Sequence, residues 1–179
     1  MNYRKLSPEK SIMTICKAFL HLDKKALQRL GINPDEYIEK HKLDYNSEEI
    51  PQHIKDILFT ESQHLKMYTA TMNLCKRVEF EAETVTEDNY LATVKVKVGD
   101  FKKVEKTAQS IESPSNFKEM TPYEKLDALA NYHVNLFDKK RMIGYKEFLF
   151  ECVYNKDLKI WFPIDYQRFS AEVINGNLM

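Results

Sequence analysis

Histidine and cysteine are the side chains best able to bind a metal or attack a substrate, and this chain holds them at His21, His41, His53, His64, His133, Cys16, Cys75 and Cys152. A zinc centre gathers its ligands through short fixed spacings, such as HExxH on a helix or paired CxxC. Neither motif occurs, and no two histidines stand four apart with a third ligand nearby. His133 falls beside the apolar stripe of a helix, where a hydrogen-bonded histidine at the edge of a core is the expected role. The cysteines lie far apart, each in an apolar-periodic stretch. They read as small buried hydrophobes, with a Cys16–Cys75 disulfide between two helices as the alternative.

Nucleophile motifs are equally thin. Ser7 with Lys10 and Ser115 with Lys118 match Ser-x-x-Lys, but neither has the partner motifs that make it catalytic. Ser7 is accounted for as a helix cap, and Ser115 sits in a loop after Pro114. With 4 glycines in 179 residues, GxGxxG and GxxxxGK phosphate loops are absent. Glu81 and Glu83 read as decoration of a wet face. Glu147 and Glu151, around Phe148, Leu149 and Phe150, come nearest to the buried carboxyl that general acid catalysis needs. A solvated strand face is the plainer account of them. The sequence therefore assigns no catalytic residue, metal or cofactor.

Binding is more legible. Tyr145, Phe150 and Tyr154 precede Trp161, the sole tryptophan, across the turn Asn155-Lys156-Asp157. Such a tryptophan is expected to close a core, with its N–H seeking a partner at a rim. Together the four aromatics are the candidate lining of a cavity between sheet and helices, where a small ligand would enter.

Lys+Arg and Asp+Glu are equal at 27 each, which argues against nucleic acid as a partner. Lys76-Arg77, Lys102-Lys103 with Lys106, and Lys139-Lys140-Arg141 read as solvated faces or partners of helix dipoles. Contact of these clusters with anionic lipid or a wall polymer is the alternative. No apolar run is long enough to span a bilayer, and Met1 to Lys5 is too polar for a signal peptide.

These side chains need elements to position them. Ser7-Pro8 opens a helix with apolar residues from Ile12 to Leu30, stopped at Gly31. Asn33-Pro34 starts a short one ending near Leu43, and a long helix is predicted from Ile50 to Cys75. The period then drops to two. Val78, Phe80 and Ala82 face one way, as do Tyr90, Ala92, Val94, Val96 and Val98, joined by a turn at Thr86-Glu87-Asp88-Asn89. Asp100 is expected to cap a helix over Phe101 to Ile111. Thr121-Pro122-Tyr123-Glu124 is a capping box for a helix closed by Lys139-Lys140-Arg141. Phe148, Phe150, Cys152 and Tyr154 alternate with Glu147, Leu149, Glu151 and Val153, and Leu158 to Ile164 returns as a strand. Asp165 caps a last short helix ending at Gly176. The expectation is one α+β domain over residues 1–179: an antiparallel sheet built from two hairpins, with helices packed on one face.

Four stretches carry a family likeness. They are Ser7-Pro8-Glu9-Lys10 through Leu30-Gly31-Ile32; Asn89-Tyr90-Leu91-Ala92-Thr93-Val94-Lys95-Val96-Lys97-Val98; Asn155-Lys156-Asp157-Leu158-Lys159-Ile160-Trp161; and Asp165 through Phe169, Val173 and Ile174 to Asn175-Gly176. Together they resemble the extracytoplasmic domain of a group of Gram-positive lipoproteins with no assigned activity, themselves similar to nuclear-transport-factor-2-like and cystatin-like folds. The resemblance implies an envelope-associated domain, outside the cytoplasm and membrane-anchored. It would bind a small ligand, a wall component or an envelope protein. Contact with the membrane would come only through a lipid anchor absent from this chain, and Cys16, inside a capped helix, does not suit that role. The alternatives are an enzyme of the cone-shaped fold, of isomerase or hydratase type, using Glu147, Glu151, His133 and Tyr145, or a cytoplasmic interaction module.

Overall fold

A computed structural model describes residues 4–48, 60–101 and 118–176. In chain order these form α1 (Pro8–Leu20), α2 (Lys24–Arg29), α3 (Pro34–Glu48), α4 (Glu61–Lys76), β1 (Phe80–Glu87), β2 (Leu91–Phe101), α5 (Pro122–Lys139), β3 (Met142–Asn155), β4 (Ile160–Pro163) and α6 (Tyr166–Phe169). A π-helical turn, Ser170–Ile174, continues α6. The arrangement is α+β, and its two hairpins join as one antiparallel sheet in the order β1-β2-β3-β4.

The chain divides into two compact units. One comprises Met1–Ile38, Cys75–Phe101 and Met142–Met179; the other comprises Glu39–Leu74 and Lys102–Arg141. The first holds the sheet. Its register sets Val94 opposite Phe150, Val96 opposite Phe148 and Ala92 opposite Cys152, while Val98 faces Phe80 across β1 and β2. Residues opposite each other in an antiparallel pair share a face, so these side chains form one apolar layer. Helix α1 packs on it, touching β1, β2 and β4 through a stripe in which Ile12, Ile15 and Cys16 are fully buried. The helical period of α1 thus meets the two-residue period of the sheet to make the core.

Several boundaries differ from the sequence reading, each for a local reason. The first predicted helix is two. Leu22 takes a left-handed φ of 49°, and Asp23 restarts the chain by accepting the Ala26 N–H at 2.8 Å, a side-chain cap inside what reads as one stripe. Gly31 does stop α2, at a φ of 77° that favours glycine. Helix α3 runs past Leu43 to Glu48. Of the long predicted helix, Ile50 to residue 59 falls outside the described residues, and α4 starts afresh at a capping box. There Gln63 N–H donates to Thr60 Oγ1 at 3.3 Å and Thr60 N–H to Gln63 Oε1 at 2.9 Å. Asp100 does not cap a helix. It lies in β2 opposite Gly144 and pairs with Lys146 at 2.7 Å; the rest of the helix expected there, from Lys102 on, falls outside the described residues. The box at Thr121 forms as expected, with Thr121 N–H donating to Glu124 Oε2 at 2.7 Å and Glu124 N–H to Thr121 Oγ1 at 3.3 Å.

Arg29 ties the second hairpin to the helices. Its guanidinium donates to Leu158 O at 2.6 Å and to Arg4 O at 3.0 Å. Lys159 sits at a φ of 54° in the same turn, and Asn155 Oδ1 accepts the Leu158 N–H at 2.9 Å, the local bond by which asparagine favours turns.

Candidate functional site

The candidate aromatics separate by strand parity. Phe150 and Tyr154, at even positions of β3, point to the core side. Trp161 sits opposite Tyr154, with ring centroids 5.2 Å apart. Trp161 has no exposed surface, and Phe150 is 2% exposed. Phe150 packs edge-on against Phe169 of α6 at 5.1 Å. Tyr145 has odd parity and stands on the opposite face, 46% exposed. Three of the four thus share the core face of the sheet, where Tyr154 and Trp161 touch each other and Phe150 packs on Phe169, and Tyr145 stands on the other face.

Trp161 is fully enclosed and one polar atom is left over. Lys5 Nζ lies 5.0 Å from the Tyr154 ring centroid and 5.4 Å from that of Trp161, a cation over two aromatic faces. The same ammonium is 3.7 Å from Glu87. Trp161 Nε1 is buried and has no hydrogen-bond partner among the described residues. The indole therefore fills the core under β4, and its N–H finds no rim.

The other face of the sheet is built differently. Lys95 pairs with Glu83 at 2.9 Å and Lys97 with Glu147 at 3.3 Å, as cross-strand neighbours of opposite charge should. The first contact holds the Glu83 carboxyl below its usual range and raises Lys95. Tyr145 donates to Glu79 Oε2 at 2.6 Å, which pushes its phenol upward, helped by the charge of Glu81. Among these charges lies an apolar group. Leu91 faces Val153, Val153 faces Phe162, and Leu149 lies two outward positions before Val153 on β3, with Glu151 between them. Ile164 follows, its N–H donating to Glu151 O at 2.8 Å. Exposures are 52% for Leu91, 55% for Leu149, 42% for Val153 and 55% for Ile164. Alternation assigns β3 positions 147, 149, 151 and 153 to solvent. Leucine and valine at two of them were the available signal, masked by reading the period without asking what each outward residue is.

Glu147 and Glu151 are exposed on this same face, not enclosed in an apolar pocket. In the second unit, His133 Nε2 lies 3.3 Å from Thr71 Oγ1 and stacks on Phe137 at 4.3 Å. Burial, with the charge of Lys140, lowers its pKa. This is the hydrogen-bonded histidine at a core edge expected from sequence. A groove of about 350 Å³ runs beside it between α4 and α5, lined by Ser62, Leu65, Thr69, Asn73 and Val134 among others. Lys66, which also lines it, donates to Asn131 Oδ1 at 2.9 Å.

All three cysteines are buried thiols, so the disulfide alternative gives way. Burial pushes Cys16 and Cys152 up to about 12, far from the thiolate that attacks or ligates. Ser7 occupies the N-cap position of α1 without a side-chain cap. Its hydroxyl goes to Glu9, whose other carboxylate oxygen accepts from Thr84 of β1, so both donors hold an acid, not a nucleophile's base. Among the described residues no three His, Cys, Asp or Glu side chains cluster as a metal site would require, and no helix is long and apolar enough to cross a membrane.

No family model matches the chain, and no curated protein matches it. Among solved structures it is similar to the crystal structure of a protein described as a putative lipoprotein (ycdA) from Bacillus subtilis, with a TM-score of 0.60 at 15% identity. The match covers 94% of this chain and 55% of that one, so the chain spans about half the length of that neighbour. At this identity the likeness is one of fold.

Proposed function

We propose that the chain is an envelope-associated domain, held at the outer face of a membrane by a lipid anchor. It binds a small solute, a wall component or an envelope protein and catalyses no reaction. The observation that carries this reading is the fold shared, over 94% of the chain, with the Bacillus subtilis protein described as a putative lipoprotein, alongside the likeness of sequence layout. On this reading the sheet with α1 on its inner face is the counterpart of the curved sheet in nuclear-transport-factor-2-like and cystatin-like folds, and Phe150, Tyr154 and Trp161 on that inner face are structural support for binding at the surface.

The test is the intact mass and location of the protein in the organism that makes it. Membrane and cytosol are separated, and each fraction is analysed by mass spectrometry. A membrane-bound form carrying a diacylglycerol-sized addition supports the reading. An unmodified cytosolic form overturns it.

A further inference from the structure

We infer that the outward face of the sheet, centred on Leu149 and Val153, docks a basic amphipathic segment of a partner protein. This names a surface and a partner chemistry within the binding role proposed above. The shape of the site is the first argument. Leu91, Leu149, Val153 and Ile164 are 42–55% exposed and lie across β2, β3 and the end of β4 on a pleated face, with half-buried Phe162 beside them. Exposed apolar groups gathered together and rimmed by polar residues mark interaction surfaces. A broad sheet face suits a macromolecule, whereas small ligands sit in concave sites.

Charge selects among macromolecules. By register the same face carries Glu81, Glu83, Glu147 and Glu151 against Lys95 and Lys97. The two lysines are already engaged by Glu83 and Glu147. Glu81 and Glu151 remain exposed and enter no ion pair among the described residues. Glu151 lies on β3 between Leu149 and Val153, so the apolar group carries an acid at its centre. A partner that covers the leucine and valine must bring a cation to Glu151 or bury that carboxylate alone, which is costly. A second copy packed face to face would set carboxylates against carboxylates. An anionic lipid surface would meet the same repulsion. A segment with leucine-like and lysine-like residues on one side satisfies both features.

The probe is a synthetic amphipathic peptide of leucine and lysine, titrated into the isotopically labelled full chain. Amide resonances are followed as the peptide is added. Shifts are expected at Leu91, Thr93 and Leu149 to Val153, with affinity falling as salt rises. Leu149→Ser with Val153→Ser should weaken binding at least about tenfold, the scale of a lost interface anchor. Glu151→Lys, an exposed substitution that leaves the core untouched, should weaken it also, and Leu65→Ser on α4 should not. Shifts located elsewhere, affinity unchanged by Leu149→Ser/Val153→Ser or Glu151→Lys, equal binding of a leucine–glutamate peptide, binding of phosphatidylglycerol vesicles through this face, or self-association through it would each overturn the inference. A cytosolic location leaves this result standing while removing the envelope reading, so the two can fail separately.

Discussion

Replacing Trp161 by phenylalanine should cost far less than the size of the side chain suggests. The indole is fully buried, so shrinking it to a benzene ring removes about two carbons from the core, worth about 1.6 kcal/mol at roughly 0.8 kcal/mol per carbon. The small cavity left behind adds on the order of 1 kcal/mol. Against this, Nε1 is buried without a partner among the described residues, and a buried unsatisfied donor costs about 1–3 kcal/mol that phenylalanine does not incur. The terms nearly cancel, leaving a net destabilisation of about 0–1.5 kcal/mol. Trp161→Ala, which opens the whole space under β4, should cost about 3–5 kcal/mol. Trp161 is the only tryptophan, so urea unfolding of the variants is followed by circular dichroism, with the slope checked for constancy. A loss of about 3 kcal/mol or more for Trp161→Phe would refute the reasoning: it would mean that the N–H has a partner and that the tryptophan serves it.

Other measurements bear on other elements. Glu9→Gln should destabilise the protein by under about 1 kcal/mol near neutral pH, the site being partly exposed. Burial would raise this carboxyl, but the hydroxyls of Ser7 and Thr84 outweigh it and hold the pKa below the ordinary 4.5. A lowered folded value means the stabilisation is fully present above about pH 4.5 and is lost as pH falls through the folded pKa. Wild type and Glu9→Gln should therefore converge in acid, and a constant gap down to low pH would count against the bond. Cys16 and Cys152 should resist maleimide in the native state and react in urea; rapid native labelling would contradict their burial. Thr121→Ala should lose about 1 kcal/mol through the capping box, and Glu124→Gln, which keeps an oxygen in place, should lose less; equal losses would show that the negative charge at the helix start matters more than the bond.

The sequence made the layout legible because two periods are hard to confuse. Valines at 94, 96 and 98 with phenylalanines at 148 and 150 can share one face only in paired strands, and Thr121-Pro122-Tyr123-Glu124 starts a helix by satisfying its own end. What escaped depends on single residues inside a continuing pattern. Asp23 restarts a helix because its carboxylate captures one backbone N–H, a choice the apolar stripe does not record. Thr60 and Gln63 carry the same box as Thr121 and Glu124, yet an apolar run from Ile50 onward hides it. Asp100 looks like a cap by residue type. It stays in β2 because the ladder to Gly144 and the Lys146 contact are available only once the strands have paired. Tyr145 was grouped with Phe150 and Tyr154 by closeness in sequence, but strand parity puts an odd position on the other side.

That parity also explains why the sheet has two different jobs. On the inner face apolar surface is buried: α1 packs on β1, β2 and β4, Val94, Val96 and Val98 have no exposed surface, and Phe169 packs on Phe150. On the outer face the ion pairs Lys95–Glu83 and Lys97–Glu147 tie neighbouring strands in register, each worth little against water. If solvation were the face's sole requirement, residues like threonine at 149 and 153 would serve as well in a strand. Leucine and valine there, 55% and 42% exposed, are only partly buried in the isolated chain. They also leave β2, β3 and β4 an apolar surface to which misfolded neighbours can adhere. A partner that covers them would supply the missing burial, and the carboxylate of Glu151 between them would restrict which partner can do so. The substitutions Leu149→Thr and Val153→Thr should accordingly leave the unfolding free energy within about 0.5 kcal/mol of wild type. A larger loss in urea unfolding would mean that these side chains are held by the fold itself, and the outer face would then be a part of the core.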